Sequence, residues 1–585
     1  MSNRNSGTRL WMVGTWLPMA LVGCALSLAA EPAAKSPPAL KSAKTSKSAK
    51  SSTGKTPPKK PEFVGGEKQL VERREARFKQ LPKPPVPPGD KDASANPIDR
   101  FIAAGWKSAP GKFDPQLCDD ATFLRRAYLD IIGVIPTATE ATRYLSAAST
   151  PAKREKLIDN LLARDADYAA HWTPFWEDAL ASQNIVSQGG IPTHGNYREW
   201  LLESFAKNRQ FDLIVADLLD PTMPSRKPPE SQEVLGSQLT VEYVRNEDHT
   251  ATLQTAANVA QVFLGTSMKC AACHDHFENT EWPQERFLAF AGLFSPQDLE
   301  KIRCESKSGK FVPAQFPFAL PDADAAVPSD LTGRLHFAAQ SIIDPANPRF
   351  AKTIVNRLWK RYLGLGLFEP IDDFRDDTPA SHPELLEWLA YDFMEHGYDL
   401  KHTIRLILTS RTYQLRYDPS LEDQFSAGQQ NPPRYFRSPR LRRLTAEQFL
   451  DSVRVATSGT FEPGERTFLD TRSTALARAL GRPASRNEIS TARPDDVAIM
   501  QSLELLNGRE LRAMIYGNSL FTEGSERQDP RRQVDRLYRL ALSRPATTDE
   551  KAAGRSFLQG AETPVEGMKD ILWALVCSPE FQYIK

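Results

Sequence analysis

Lys269-Cys-Ala-Ala-Cys-His-Asp-His276 is the segment of this 585-residue chain whose residue types and spacing can do chemistry. Two cysteines separated by two residues and followed at once by a histidine form the C-x-x-C-H pattern of c-type haem attachment. In that chemistry Cys270 and Cys273 add to the haem vinyl groups as thioethers and His274 ligates the iron from one face. The spacing is a geometric requirement, since one turn of chain lets both sulfurs reach the vinyls and carries the next residue beneath the ring. Three other chemistries use the same side chains and stay open. Cys270, Cys273, His274 and His276 offer soft ligands for zinc or iron, although placing all four within seven residues strains a tetrahedron. A C-x-x-C pair is also a redox-active dithiol, here without a thioredoxin-like βαβ setting. In an oxidising compartment it closes into a structural disulfide that needs no cofactor.

No neighbour of the motif supplies a sixth iron ligand. Met268 is too close in sequence to reach round the ring, and His276 is expected to point away from it. His171, His194 and His249 reach the motif only through folding, and a lone histidine is more often a hydrogen-bonded or surface residue. The chain has no G-x-S-x-G, H-E-x-x-H, Walker A or dinucleotide fingerprint, so no catalytic residue and no reaction class are assigned. Asp372-Asp373 with Asp376-Asp377, and Asp495-Asp496, read as solvated loops. The basic run 437–443 reads as a solvated or salt-bridged face.

The segments that must position the motif begin with an address. Arg4 and Arg9 precede an uncharged apolar run over residues 10–30, the pattern of an export signal. Leu21-Val22-Gly23-Cys24 resembles a bacterial lipobox, with cleavage before a lipid-carrying Cys24; cleavage after Ala29 or Ala30, and an uncleaved anchor, are the rivals. All three place the remainder outside the cytoplasm, where covalent haem attachment also takes place. Residues 31–95 follow as a disordered tether rich in Lys, Ser and Pro, too poor in large apolar side chains to offset the entropy of ordering, with a short charged helix expected over 67–81. The formal net charge of +1 conceals this division. Eight lysines stand against two glutamates over residues 31–62, and residues 63–585 carry −7. An acidic body gives no case for nucleic acid. Mean hydropathy of −0.45 with 40% hydrophobic residues excludes both a wholly disordered chain and a multi-span membrane protein.

From residue 97 onward the apolar periodicity is helical, so the fold class is mainly α. Phe123, Leu124, Ala127, Tyr128 and Ile131 share one face, and Thr137 with Glu140 forms a capping box. Thr150-Pro151 opens a helix carrying Leu157, Ile158, Leu161 and Leu162. The aromatic run over 168–176 reads as core. Phe350, Ile354, Val355, Leu358, Trp359 and Tyr362 repeat the helical spacing; Ser381 with Glu384, Asp399, and Thr445 with Gln448 read as helix starts. Short strands are expected near Phe311-Val312 and 316–320. The body divides into a helical domain over 96–300 that holds the motif, a boundary region over 301–345 and a second helical domain over 346–585.

The order of segments resembles exported proteins of planctomycetes and related bacteria that join a planctomycete cytochrome-c-like domain to a planctomycete surface domain. The first domain is carried by Asn96-Pro-Ile-Asp-Arg-Phe-Ile102, Phe123-Leu-Arg-Arg-Ala-Tyr-Leu-Asp130, Gly133-Val-Ile-Pro-Thr137, Val262-Phe-Leu-Gly265 and the motif itself. The second is carried by Asn347-Pro-Arg-Phe350, Val355-Asn-Arg-Leu-Trp359, Arg442-Arg-Leu-Thr-Ala-Glu-Gln448 and Ser578-Pro-Glu-Phe581. Some relatives have cysteines after the Gly-Arg-Pro that is Gly481-Arg-Pro483 here; this chain has Asn487-Glu-Ile-Ser490 and lacks whatever role they play. The resemblance implies haem c on Cys270, Cys273 and His274. The expectation is therefore an exported protein of the periplasm or cell surface, attached through its signal or lipid anchor, that carries one covalent haem and exchanges electrons with an unknown redox partner. The alternative is a surface-tethered binding or structural module, or a polysaccharide-processing accessory protein, whose cysteines form a disulfide or metal site and whose partner is a cell-surface component.

Overall fold

The helix α1, Asp120–Ile131, shows how the sequence builds the body. Asp119 caps it by accepting the Thr122 N–H at 2.8 Å, and its apolar stripe is buried as the periodicity requires. Its charged residues are buried as well: Arg125, Arg126 and Asp130 all lie inside. A buried charge is costly unless it is paired or hydrogen-bonded, and here the partners come from far along the chain. Arg125 donates to the carbonyls of Ala541 and Phe581, both at 2.8 Å, and Arg126 to those of Lys585 at 2.5 Å, Leu415 at 3.1 Å and Tyr413. Asp130 receives both terminal nitrogens of Arg442, at 2.6 and 2.8 Å, and the hydroxyl of Tyr413 at 2.8 Å.

This computed structural model describes residues 66–585 apart from stretches within 90–95, 181–196, 224–249, 304–305, 322–325, 376–379, 422–432, 459–462, 471–472, 485–488, 494–498 and 518–528. The expected address, Cys24 and most of the tether lie outside the described residues. Helices dominate, as expected, and among the described residues the strands make three two-stranded pairs. Residues 63–585 form one compact unit, so the expected halves share one body.

Around α1 stand three further helices that matter for function. α2, Asp165–Ala179, buries Trp172 and Trp176, the latter 4.9 Å from the Phe211 ring, which makes the aromatic run core. α3, Phe350–Leu363, ends at Gly364 with φ +83°, where a Cβ would lie 2.6 Å from that of Arg440. α4, Ala446–Ser458, begins with the expected Thr445–Gln448 box, its two reciprocal bonds at 3.0 and 3.2 Å. The Thr137–Glu140 box and the Asp399 cap are also present.

Elsewhere the structure departs from expectation. Pro383 occupies the first helical position, so the cap before it is His382, and the Ser381 hydroxyl accepts the Arg434 N–H instead. The helix after Thr150 starts at Lys153, behind a turn closed by the Lys153 N–H on the Thr150 carbonyl. Phe311-Val312 lies in a strand as expected, Ser306–Val312, which pairs antiparallel with Leu299–Arg303, but 316–320 is no strand. Pro313, Pro317 and Pro321 remove the ladder donors there, and Phe316 and Phe318 pack against Phe290 and Trp282. The charged helix Glu67–Phe78, expected as an interruption of the tether, docks on the body: Arg74 pairs with the wholly buried Asp212 at 2.8 Å and Arg77 with Asp344 at 3.3 Å. Arg442, expected on a solvated or salt-bridged face, makes its salt bridge inward, to Asp130.

Removing one member of a buried ion pair leaves the other uncompensated, at a cost of about 3–5 kcal/mol. Asp130→Asn and Arg442→Met should each destabilise the chain on that scale in urea denaturation, and the double variant should lose less than the two combined. A loss below about 1 kcal/mol in either single variant would contradict the role given to the pair.

Candidate functional site

The motif lies on one turn of 3-10 helix, Lys269–Ala272, that leaves the helix Thr250–Leu264. Met268 and Ala271 are completely buried and pin the turn to the core, while Lys269, Cys270, Cys273, His274 and Asp275 face solvent. Cys270 and Cys273 are exposed and free. His274 is exposed too, with Nδ1 2.6 Å from the Asp275 carbonyl oxygen. A carbonyl only accepts, so Nδ1 is the donor, and in the neutral ring Nε2 is the nitrogen that carries the lone pair for a ligand. Asp275 in turn accepts the Gln284 N–H at 2.8 Å, and the Gln284 side chain donates to the Ala272 carbonyl at 3.1 Å, which ties the motif to the helix Gln284–Ala291.

His276 points inward. Its Nδ1 accepts the backbone N–H groups of Glu278 and Asn279, at 3.2 and 2.9 Å. It therefore does not converge with His274 and the thiols. Among the described residues the one group of His, Cys, Asp and Glu whose ligating atoms come together is Asp392, His396 and His402. The four-ligand reading of the motif thus lacks a preassembled site. Met268, sealed in the core, offers no sulfur to an iron at the surface, and His194 and His249 lie outside the described residues. The other described thiols differ from the motif pair: Cys118 is buried, and burial pushes the Cys577 thiol up to about 11. Two accessible thiols, an adjacent imidazole with a free Nε2, and the 72% exposed Phe277 ring beside that imidazole fit covalent haem c.

A second arrangement escaped sequence reasoning. α1, α2, α3 and α4 enclose a cavity of about 200 Å³ that also takes Ser490, Thr491 and Arg493 from a later loop. Arginine and lysine supply seven of its lining side chains and carboxylates four. Asp130 is held by Arg442; Asp178 and Glu447 are bridged by Arg493 at 2.7 and 2.6 Å; Asp451 lies 3.4 Å from Arg466. His171, a histidine expected to be hydrogen-bonded or at the surface, lines this cavity; burial and the neighbouring Arg361 and Arg466 hold its pKa well below the usual value. Charged residues at i, i+4 on α3, Arg357 and Arg361, were the one signal available, and such pairs are ordinarily surface features. Of the acidic runs, Asp372 bonds to Arg357 at 2.9 Å and also accepts from Thr491, and Asp373 pairs with Arg375, so neither is a bare solvated loop; 376–377 and 495–496 lie outside the described residues.

Thiolates alkylate and buried thiols do not, so brief maleimide treatment of the haem-free folded chain should label Cys270 and Cys273 and spare Cys118, as read by peptide mass spectrometry. At the Asp392 group, the His402 Nε2 lies 2.9 Å from Asp392 and this hydrogen bond raises the His402 pKa above 6.5, helped by Asp399 and opposed by burial and Arg405. The stabilisation is complete below pH 6.5 and is lost as the pH rises through the raised folded value. Melting curves across that window should flatten in Asp392→Asn; an unchanged pH dependence would contradict the linkage.

No curated protein and no solved structure matches the chain. Two family models do: PSCyt2, described as a protein of unknown function (DUF1549), over residues 97–298, and PSD1, described as a protein of unknown function (DUF1553), over residues 333–470. The first match contains α1, α2 and the C-x-x-C-H turn, and the second contains α3, Arg442 and α4. The chain accordingly belongs to the proteins that carry a planctomycete cytochrome-c-like domain followed by a planctomycete surface domain.

Proposed function

We propose that the chain is an extracytoplasmic haem c protein, with thioether bonds at Cys270 and Cys273 and His274 Nε2 as axial ligand. The observation that carries this reading is the state of the motif: both thiols and the imidazole face outward together, and the Asp275 carbonyl selects the tautomer with a free Nε2. The chain's own residues do the positioning. Buried Met268 and Ala271 anchor the turn, and Asp275 both orients His274 and fixes the start of the following helix. When bound, the haem would supply one-electron chemistry. Location outside the cytoplasm is supported by the surface-domain match, by the basic-then-apolar segment over 1–30 and by the lipobox at Cys24. No helix among the described residues is long and apolar enough to cross a membrane. The charged cavity favours a second role, a binding module, on the same body.

Expression with a cytochrome c maturation system should give a Soret band and a haem-staining band that survives denaturing electrophoresis. Cys270→Ala and Cys273→Ala together should abolish the covalent stain, whereas His274→Ala should change the Soret band. A colourless wild-type chain under those conditions would sink the proposal.

A further inference from the structure

In the charged cavity the four carboxylates already have cationic partners, and Arg361 stands out because the nearby charge of Asp130 is bound by Arg442 instead. Arg361 of α3 donates from its terminal nitrogen to His171 Nε2 at 2.9 Å, and its guanidinium lies over the rings of Trp172 and Phe175, 4.6 and 5.1 Å from their centroids. No carboxylate among the described residues pairs with it. Its hydrogen-bonding partner is a neutral ring: His171 must accept at Nε2, and Nδ1 meets the Asp130 backbone, an arrangement that keeps a second positive charge away from Arg361. That ring fits because the chain turns at Gly133 with φ +74°, where a Cβ would stand 2.3 Å from His171 Nδ1.

The guanidinium thus lies against two aromatic rings set at right angles to each other, with one edge spent on an imidazole and the rest beside a cavity with an excess of cations. Phe175, Arg361, Arg443 and Thr445 are only partly buried, so the cavity reaches solvent. Its volume, about 200 Å³, holds about six or seven waters at ~30 Å³ each, and Pro174, Ile371 and Phe468 add apolar walls. A planar fork fixed in this way recognises an oxyanion by paired charge-assisted hydrogen bonds, which a hydrated ammonium does not reproduce. We propose that the cavity is a binding site for a small oxyanion, a carboxylate or a tetrahedral phosphate or sulfate group, with Arg361 as its principal contact and His171 as the residue that positions Arg361.

The full chain would be titrated with sodium acetate, phosphate and sulfate against chloride at constant ionic strength, followed by calorimetry and melting temperature. Saturable binding tighter than about 10 mM is expected for at least one oxyanion, weakened at least about tenfold by Arg361→Met with an unchanged circular dichroism spectrum. Binding of acetate alone identifies a carboxylate site, and binding of phosphate or sulfate a tetrahedral one. Where Arg361→Met does not fold, Arg361→Lys retains the charge and stem but not the fork, and should still weaken binding at least about threefold. The double variant Cys270→Ala/Cys273→Ala should bind as the wild type does, which separates this site from haem attachment. Absence of saturation with all three anions, or equal affinity in the folded Arg361 variant, would overturn the proposal.

Discussion

The Asp130–Arg442 pair is the contact on which the body turns. It sits at the end of a helix whose sequence belongs to the cytochrome-c-like match and ties it to a residue of the surface-domain match 312 positions later. Two charges taken out of water are expensive unless geometry is good and the spare lone pairs are filled. Here both terminal guanidinium nitrogens engage, Tyr413 completes the carboxylate, and Arg442 also donates to the Arg361 carbonyl at 2.7 Å. The last bond reaches α3 at the very residue that faces the charged cavity. One pair therefore fixes the relation of α1 to α3, and the cavity between them inherits its shape.

The two candidate sites obey opposite rules. The thiol turn keeps its chemistry outside: its apolar neighbours are drawn into the core and the reactive groups are left facing water. The cavity keeps its chemistry inside, where low dielectric strengthens each charge and each must be balanced. A surface turn can be modified by external machinery; an interior cavity can select a ligand. Nothing requires them to act in one reaction, and their separate supports, the helix Gln284–Ala291 for one and α1 to α4 for the other, let each be altered alone.

Much of this was legible from sequence. Apolar positions 123, 124, 127, 128 and 131 identified α1, and Thr137–Glu140, Asp399 and Thr445–Gln448 announced helix starts, because periodicity and capping are local. The motif was legible because its chemistry lies within five residues. What failed was what depends on partners remote in the chain. Arg126 and Arg442 look like surface letters, and only the carbonyls and carboxylate brought by folding make their burial tolerable. Ser381 met the local rule for a cap and lost the position to His382, since its hydroxyl is engaged by Arg434. His171 could not be placed at all until Gly133 and Arg361 were beside it.

The pairing of Tyr583–Ile584 with Arg442–Arg443 has a consequence for biogenesis. That pairing brings Lys585 beneath Arg126, so Arg125 and Arg126 do not gain their full set of partners until residues 581–585 have arrived. A chain made from its N-terminus presents Arg125 and Arg126 early and the carbonyls of Phe581 and Lys585 456 and 459 residues later. During that interval the two arginines lack partners that make their burial tolerable, so the body closes around α1 last.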